Sequence, residues 1–154
     1  MKRIILILLL LFVSTATSLA CTCIGMKESI RKKIETAYSR SDIIFTGKIL
    51  SKETKTHEEY TSSADPVIYK IEIINLIKGK FQKGTIEVVS ERSGASCGYL
   101  FELGKSYLIY STKSTHFSEL TKNQSDYYTG LCNRNKELRK TRKKELRILK
   151  RLSK

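Results

Sequence analysis

Val67-Ile68-Tyr69-Lys70-Ile71-Glu72-Ile73-Ile74-Asn75-Leu76-Ile77 is the stretch that decides the fold class. Val67, Tyr69, Ile71 and Ile73 alternate with Ile68, Lys70 and Glu72, a period of two that predicts a strand. Beyond it, Gly79 and Gly84 bracket a turn, and Thr85 to Ser90 alternates again with Ile86 and Val88 on one face. Residues 91–97 then form a Gly/Ser loop ending at Cys97, and Tyr107 to Tyr110 makes another short strand after Gly104. Residues 113–131 are mixed and polar, with one more short strand expected near Phe117. On the N-terminal side, residues 51–66 are polar, contain the single proline, Pro66, and read as a long loop or hairpin tip. Asp42 to Leu50, rich in isoleucine, is a further strand. Residues 27–41 place Ile30, Ile34, Ala37 and Tyr38 at helical spacing. Short strands separated by turn signals, plus one helix, predict a small antiparallel barrel or sandwich.

The first twenty residues have a different character. Lys2 and Arg3 precede an unbroken apolar run from Ile4 to Val13, and Ser18-Leu19-Ala20 supplies the small side chains a signal peptidase requires at −3 and −1. The run is shorter than the roughly 20 residues of a membrane span. Cleavage after Ala20 would expose the α-amino group of Cys21 and direct the protein to a secreted, extracellular or periplasmic location. A lipoprotein reading competes at Cys21, but it would usually carry Leu at −3, where this chain has Ser18. A lipidated sulfur cannot also join a disulfide, so the two readings exclude each other.

The four cysteines, Cys21, Cys23, Cys97 and Cys132, all follow the signal. An even count in an oxidising compartment favours two disulfides. A Cys21–Cys23 ring would be very tight, which leaves either cross-pairing open. Cys-x-Cys lacks zinc-site spacing, and His57 and His116 lie in polar, loop-like stretches, so neither a metal nor another cofactor is expected. Ser/His/Asp and Cys/His sets are lacking, and Glu58, Glu59 and Asp65 share one polar loop with no sign of burial, which argues against an enzyme.

The formal charge is +14, concentrated at the C-terminus: residues 133–154 hold eleven basic and two acidic side chains. Residues 134–154 have no Gly or Pro, and Leu146, Leu149 and Leu152 recur at helical spacing, so they read as a basic helical tail to a domain spanning 21–133. A solvated extension and a contact with an anionic envelope surface are the two readings of that tail.

Three segments carry a resemblance in combination with Cys21-Thr22-Cys23. They are Ser41-Asp42-Ile43-Ile44-Phe45-Thr46-Gly47-Lys48-Ile49, then Ile77-Lys78-Gly79, and then Cys97-Gly98-Tyr99-Leu100-Phe101-Glu102-Leu103-Gly104-Lys105-Ser106-Tyr107-Leu108-Ile109, with Leu131-Cys132-Asn133 closing the set. Together they resemble the N-terminal netrin-like domain of the tissue inhibitors of metalloproteinases in its shorter bacterial form. The resemblance implies a five-stranded OB-like antiparallel barrel with flanking helices, here followed by the basic C-terminal helix. It implies bridges Cys21–Cys97 and Cys23–Cys132, and a monomeric inhibitor of zinc metalloproteases. In that role the Cys21 amine and carbonyl would chelate the target enzyme's zinc. Thr22 would enter a specificity pocket, and Ser93, Gly94, Ala95 and Ser96 would form a second inhibitory edge. A non-inhibitory netrin-like binding module of the cell envelope is the alternative. An OB-type barrel with a basic tail also raises nucleic-acid binding, against which export, disulfides and the nearly neutral domain argue.

Overall fold

A computed structural model describes residues 21, 23, 27–57, 59–82, 84–123 and 126–154; the signal-peptide reading of residues 1–20 lies outside them. The alternating stretch forms the centre of strand β2 (Pro66–Lys78), flanked in sequence by β1 (Ile43–Thr54) and β3 (Thr85–Glu91). Strands β4 (Ser106–Ser114), β5 (Asp126–Tyr128) and β6 (Lys136–Glu137) follow. The sheet order is β1-β2-β3-β5-β4-β6, and β1 also pairs with β4, which joins the first five strands into a ring. Every pairing is antiparallel except β3 with β5, which is parallel. The protein is therefore mainly β, an OB-like five-stranded ring with an added strand and flanking helices.

Ring closure follows from β1, which bonds to two neighbours at once. Its pairing with β2 shifts register between Ile44 and Phe45, Thr46 and Gly47, and Ile49 and Ser51. Such irregularities bend and twist a strand, as a barrel wall requires. Gly47 permits the close approach, since a Cβ there would lie 2.6 Å from Ile71 Cγ2 and 2.8 Å from the Glu72 carbonyl oxygen.

Alternate residues of β1 and β4 serve two separate cores. Ile43, Phe45, Tyr107 and Ile109 point into the ring beside Tyr69, Ile71, Ile86, Val88 and Phe101. Ile44, Leu108 and Tyr110 point outward, where helix α1 (Ile30–Arg40) covers them with Ile34. Burial on both faces explains why Ile43–Phe45 and Tyr107–Tyr110 are apolar at successive positions. Helix α1 begins where Ser29 Oγ accepts the Lys32 N–H, and it stops at Ser41, whose hydroxyl donates to the Ala37 carbonyl. Lys78 seals that end by donating to the carbonyls of Tyr38 (2.7 Å) and Ser41 (2.6 Å).

Several local expectations change. Strand β1 continues through Thr54 opposite Val67, so the polar loop is confined to residues 55–65. Main-chain pairing sustains this hairpin although its outer side chains are polar. Phe117 is buried, but it precedes a short helix, α2 (Ser118–Thr121); the strand comes later, at β5. Residues 134–154, read as a tail, supply β6 and helix α3 (Lys143–Leu152). Leu149 of α3 is fully buried in the outer core, packed with Ile34, Leu108 and Tyr110. Glu145 of α3 is also buried, accepting from the Tyr110 hydroxyl (3.0 Å) and pairing with Arg134 through both oxygens. This segment is a packed layer and not a solvated extension, because an apolar strip and one satisfied carboxylate seat it on β4.

Candidate functional site

Cys97 sits at the end of a tight turn built by Ser93. The Ser93 carbonyl accepts the Ser96 and Gly98 N–H groups (3.1 and 2.9 Å), and its hydroxyl accepts the Ala95 N–H (3.2 Å). Residues Gly94–Ser96 form one turn of 3₁₀ helix, and Cys97 is left-handed at φ 68°. Gly98 has no alternative: a Cβ there would press into the Glu91 carbonyl, 2.7 Å from its carbon, and 2.9 Å from the Ser93 oxygen. The left-handed Cys97 followed by a residue without a Cβ lets the chain leave β3 this close to the Glu91 carbonyl.

The turn is joined to the segment after β5. Gly98 bridges Gly130, and the Leu131 N–H donates to the Cys97 carbonyl at 2.6 Å. At the root of both segments, the Tyr128 hydroxyl lies 2.9 Å from each oxygen of the buried Glu91 carboxylate. Burial pushes the Tyr128 phenol well above its ordinary pKa, and the adjacent Glu91 charge adds to the shift. The phenol stays a donor, and the lock between β3 and β5 stays closed.

Onto this double platform the two disulfides fasten Cys21 and Cys23. Cys21 bonds to Cys97 and Cys23 to Cys132, each pair with Cα atoms 5.3 Å apart, and no free cysteine remains among the described residues. Cys21 is half-buried and Cys23 exposed. Thr22, the expected pocket residue, lies outside the described residues. Of the expected second edge, Ala95 is exposed and Ser93, Gly94 and Ser96 are partly so. The edge is buttressed by the 55–65 loop, through Ser63 Oγ at 2.7 Å from Ser96 Oγ and the Arg92 N–H donating to the Asp65 carbonyl.

The family description Tissue inhibitor of metalloproteinase matches residues 19–146. That span includes every element from Cys21 and Cys23 through the first turn of α3. The chain belongs to the tissue inhibitor of metalloproteinase family. No curated protein matches it. Members of this family are non-enzymatic inhibitors, so membership implies metalloproteinase inhibition as the activity, with metalloproteases as the partners. The family and the two disulfides together indicate an extracellular protein.

The structure of this family member also exposes features that the sequence hid. Leu100 and Leu131 flank Cys97 and Cys132 with more than two-fifths of their surface open to solvent. Both lie near the disulfides that hold Cys21 and Cys23. Nothing in their spacing distinguishes them from core leucines; only the turn at Cys97 and the Gly98–Gly130 bridge turn them outward. Asp65, expected to be an exposed loop acid, is buried at 2% exposure. It accepts the Ser62 N–H and pairs with Arg92 at 3.9 Å, so it organises the buttressing loop. His57 and His116 are both exposed, and no group of three or more His, Cys, Asp or Glu among the described residues is arranged to hold a metal.

Proposed function

We propose that this chain inhibits a zinc metalloprotease by placing the α-amino group and carbonyl oxygen of Cys21 on the target's catalytic zinc. A catalytic zinc keeps one position open for water. A five-membered chelate through the Cys21 nitrogen and oxygen displaces that water, removing both the nucleophile and the Lewis-acid contact with a substrate carbonyl. The amine donates as the neutral form, and an α-amino group titrates near 7.7–8.0, so coordination displaces its proton easily at neutral pH. Thr22 then enters the first specificity pocket, and Ser93, Gly94, Ala95 and Ser96 lie along the cleft as a second edge.

The observation that carries this reading is the pair of disulfides anchoring Cys21 and Cys23 to two hydrogen-bonded segments of a family member. A terminus held in this way loses little ordering entropy on association. The reading requires signal cleavage after Ala20, and the Cys21–Cys97 bond leaves no sulfur free for lipidation. The mature protein is a monomer, released to the extracellular space or periplasm.

The test compares mature protein beginning at Cys21 with forms that carry one extra residue before it or an acetylated amine. The native terminus inhibits members of a zinc-metalloprotease panel, and both blocked forms lose inhibition at unchanged melting temperature. Equal inhibition by blocked and native forms removes the chelation mechanism.

A further inference from the structure

We propose that helices α1 and α3 together form a cationic face that adsorbs the protein to an anionic lipid bilayer. The two helices share the outer core over β1 and β4, Ile34 of α1 meeting Leu149 of α3. Their apolar sides are therefore spent on the protein, and their other sides face solvent. On α1 and the three residues before it, Lys27, Lys32 and Arg40 are exposed; on α3, Lys143, Lys144, Arg147, Lys150 and Arg151 are exposed. None of these eight forms an ion pair among the described residues, since the salt bridges of this region are Arg31–Glu35 and Arg134–Glu145. Residues 27–40 and 142–154 contain twelve basic side chains against three acidic ones, and two of those three, Glu35 and Glu145, are the paired ones.

The charge thus belongs to a surface and not to the C-terminal segment alone. Two adjacent helices, each about 15 Å long, with axes about 8–10 Å apart, spread these cations over two dimensions. A planar array of anionic headgroups matches such a field, since it meets the cations of both helices at once. With the apolar faces buried, attachment is electrostatic and does not insert. A cleft between α1 and residues 132–134 borders the same face; Lys33, Arg40, Asn133 and Arg134 outnumber its single carboxylate, Glu28, as groups facing headgroup oxygens.

Mature protein is sedimented with vesicles of phosphatidylcholine alone and with vesicles containing phosphatidylglycerol. The expected result is binding to the anionic vesicles only, lost at about 1 M salt where the Debye length falls to ~3 Å. Replacing Lys144, Arg147 and Arg151 by Gln lowers partitioning about a hundredfold. Replacing Lys48, Lys52 and Lys70 of the β1–β2 hairpin by Gln, an equal change of net charge, lowers it no more than about threefold. A third variant, with Gln at Lys27, Lys32 and Arg40, carries the same test to α1 if the α3 variant melts early. The proposal is overturned by failure to bind anionic vesicles or by equal losses in the helix and hairpin variants. It is also overturned if dextran sulfate, at matched charge concentration, is bound in preference to the vesicles.

Discussion

Gly98 shows how much of this protein rests on single atoms. Its missing side chain lets Cys97 carry the disulfide out of a left-handed turn while the backbone passes the Glu91 carbonyl. Gly98→Ala forces that turn to shift and is expected to cost about 3 kcal/mol, read as a lowered melting temperature. Asn135 is a comparable point. Its Oδ1 accepts the Tyr110 N–H at 2.9 Å, and its amide donates to Thr129 Oγ1 at 2.7 Å. Asn135→Ala leaves buried polar groups unpaired and should cost about 1–3 kcal/mol in denaturant unfolding. The tyrosines set a pH limit. Burial, with the nearby Tyr107 and Glu137 charges, pushes Tyr99 up to about 12 from an ordinary 10.0, and Tyr69, Tyr110 and Tyr128 also stand raised, burial again the largest cause. Between those limits the unfolded chain binds fewer protons than the folded one, so stability is full below pH 10 and falls as pH rises through the folded values. A melting-temperature series from pH 8 to 12 should be flat at first and drop above about pH 10.

At the scale of elements, α3 decides whether the domain ends at 133. Leu149 is completely enclosed between α1 and β4, and Leu149→Ala is expected to cost about 2–5 kcal/mol. Removing residues 134–154 takes away β6, Asn135, the Arg134–Glu145 pair and Leu149 together, and should leave a chain that no longer unfolds cooperatively. A cooperative melt for residues 21–133 would restore the reading of α3 as an accessory. The strands were legible because their partners are legible: β2 alternates, β3 alternates, and Gly79 and Gly84 punctuate between them. Lys78 was visible as part of a motif, yet its purpose was not. Its ammonium closes the end of α1 from nearly forty residues away in sequence, a relation that no local pattern records. Strand β5 was missed for a related reason. It is three residues long and is held by β3 and β4, so pairing and not propensity makes it a strand.

For the whole molecule, the two disulfides close loops whose ends are 76 and 109 residues apart. In the chain-entropy model each contributes about 4 to 5 kcal/mol by restricting the unfolded state. Reduction should therefore lower the melting temperature markedly and, on the proposed mechanism, abolish inhibition even at temperatures where the barrel survives. An inhibition assay beside a circular-dichroism melt, both with and without reductant, separates the two effects. By itself the sequence determined the β character and, through the ordered motifs, the family, because alternation, turn residues and short motifs are local properties. The tertiary structure alone decided that the basic segment is a packed layer, that Asp65 is buried and that Leu100 and Leu131 are exposed. Those outcomes depend on which surfaces meet after the ring has closed, and burial belongs to a pair of surfaces, never to one stretch of chain.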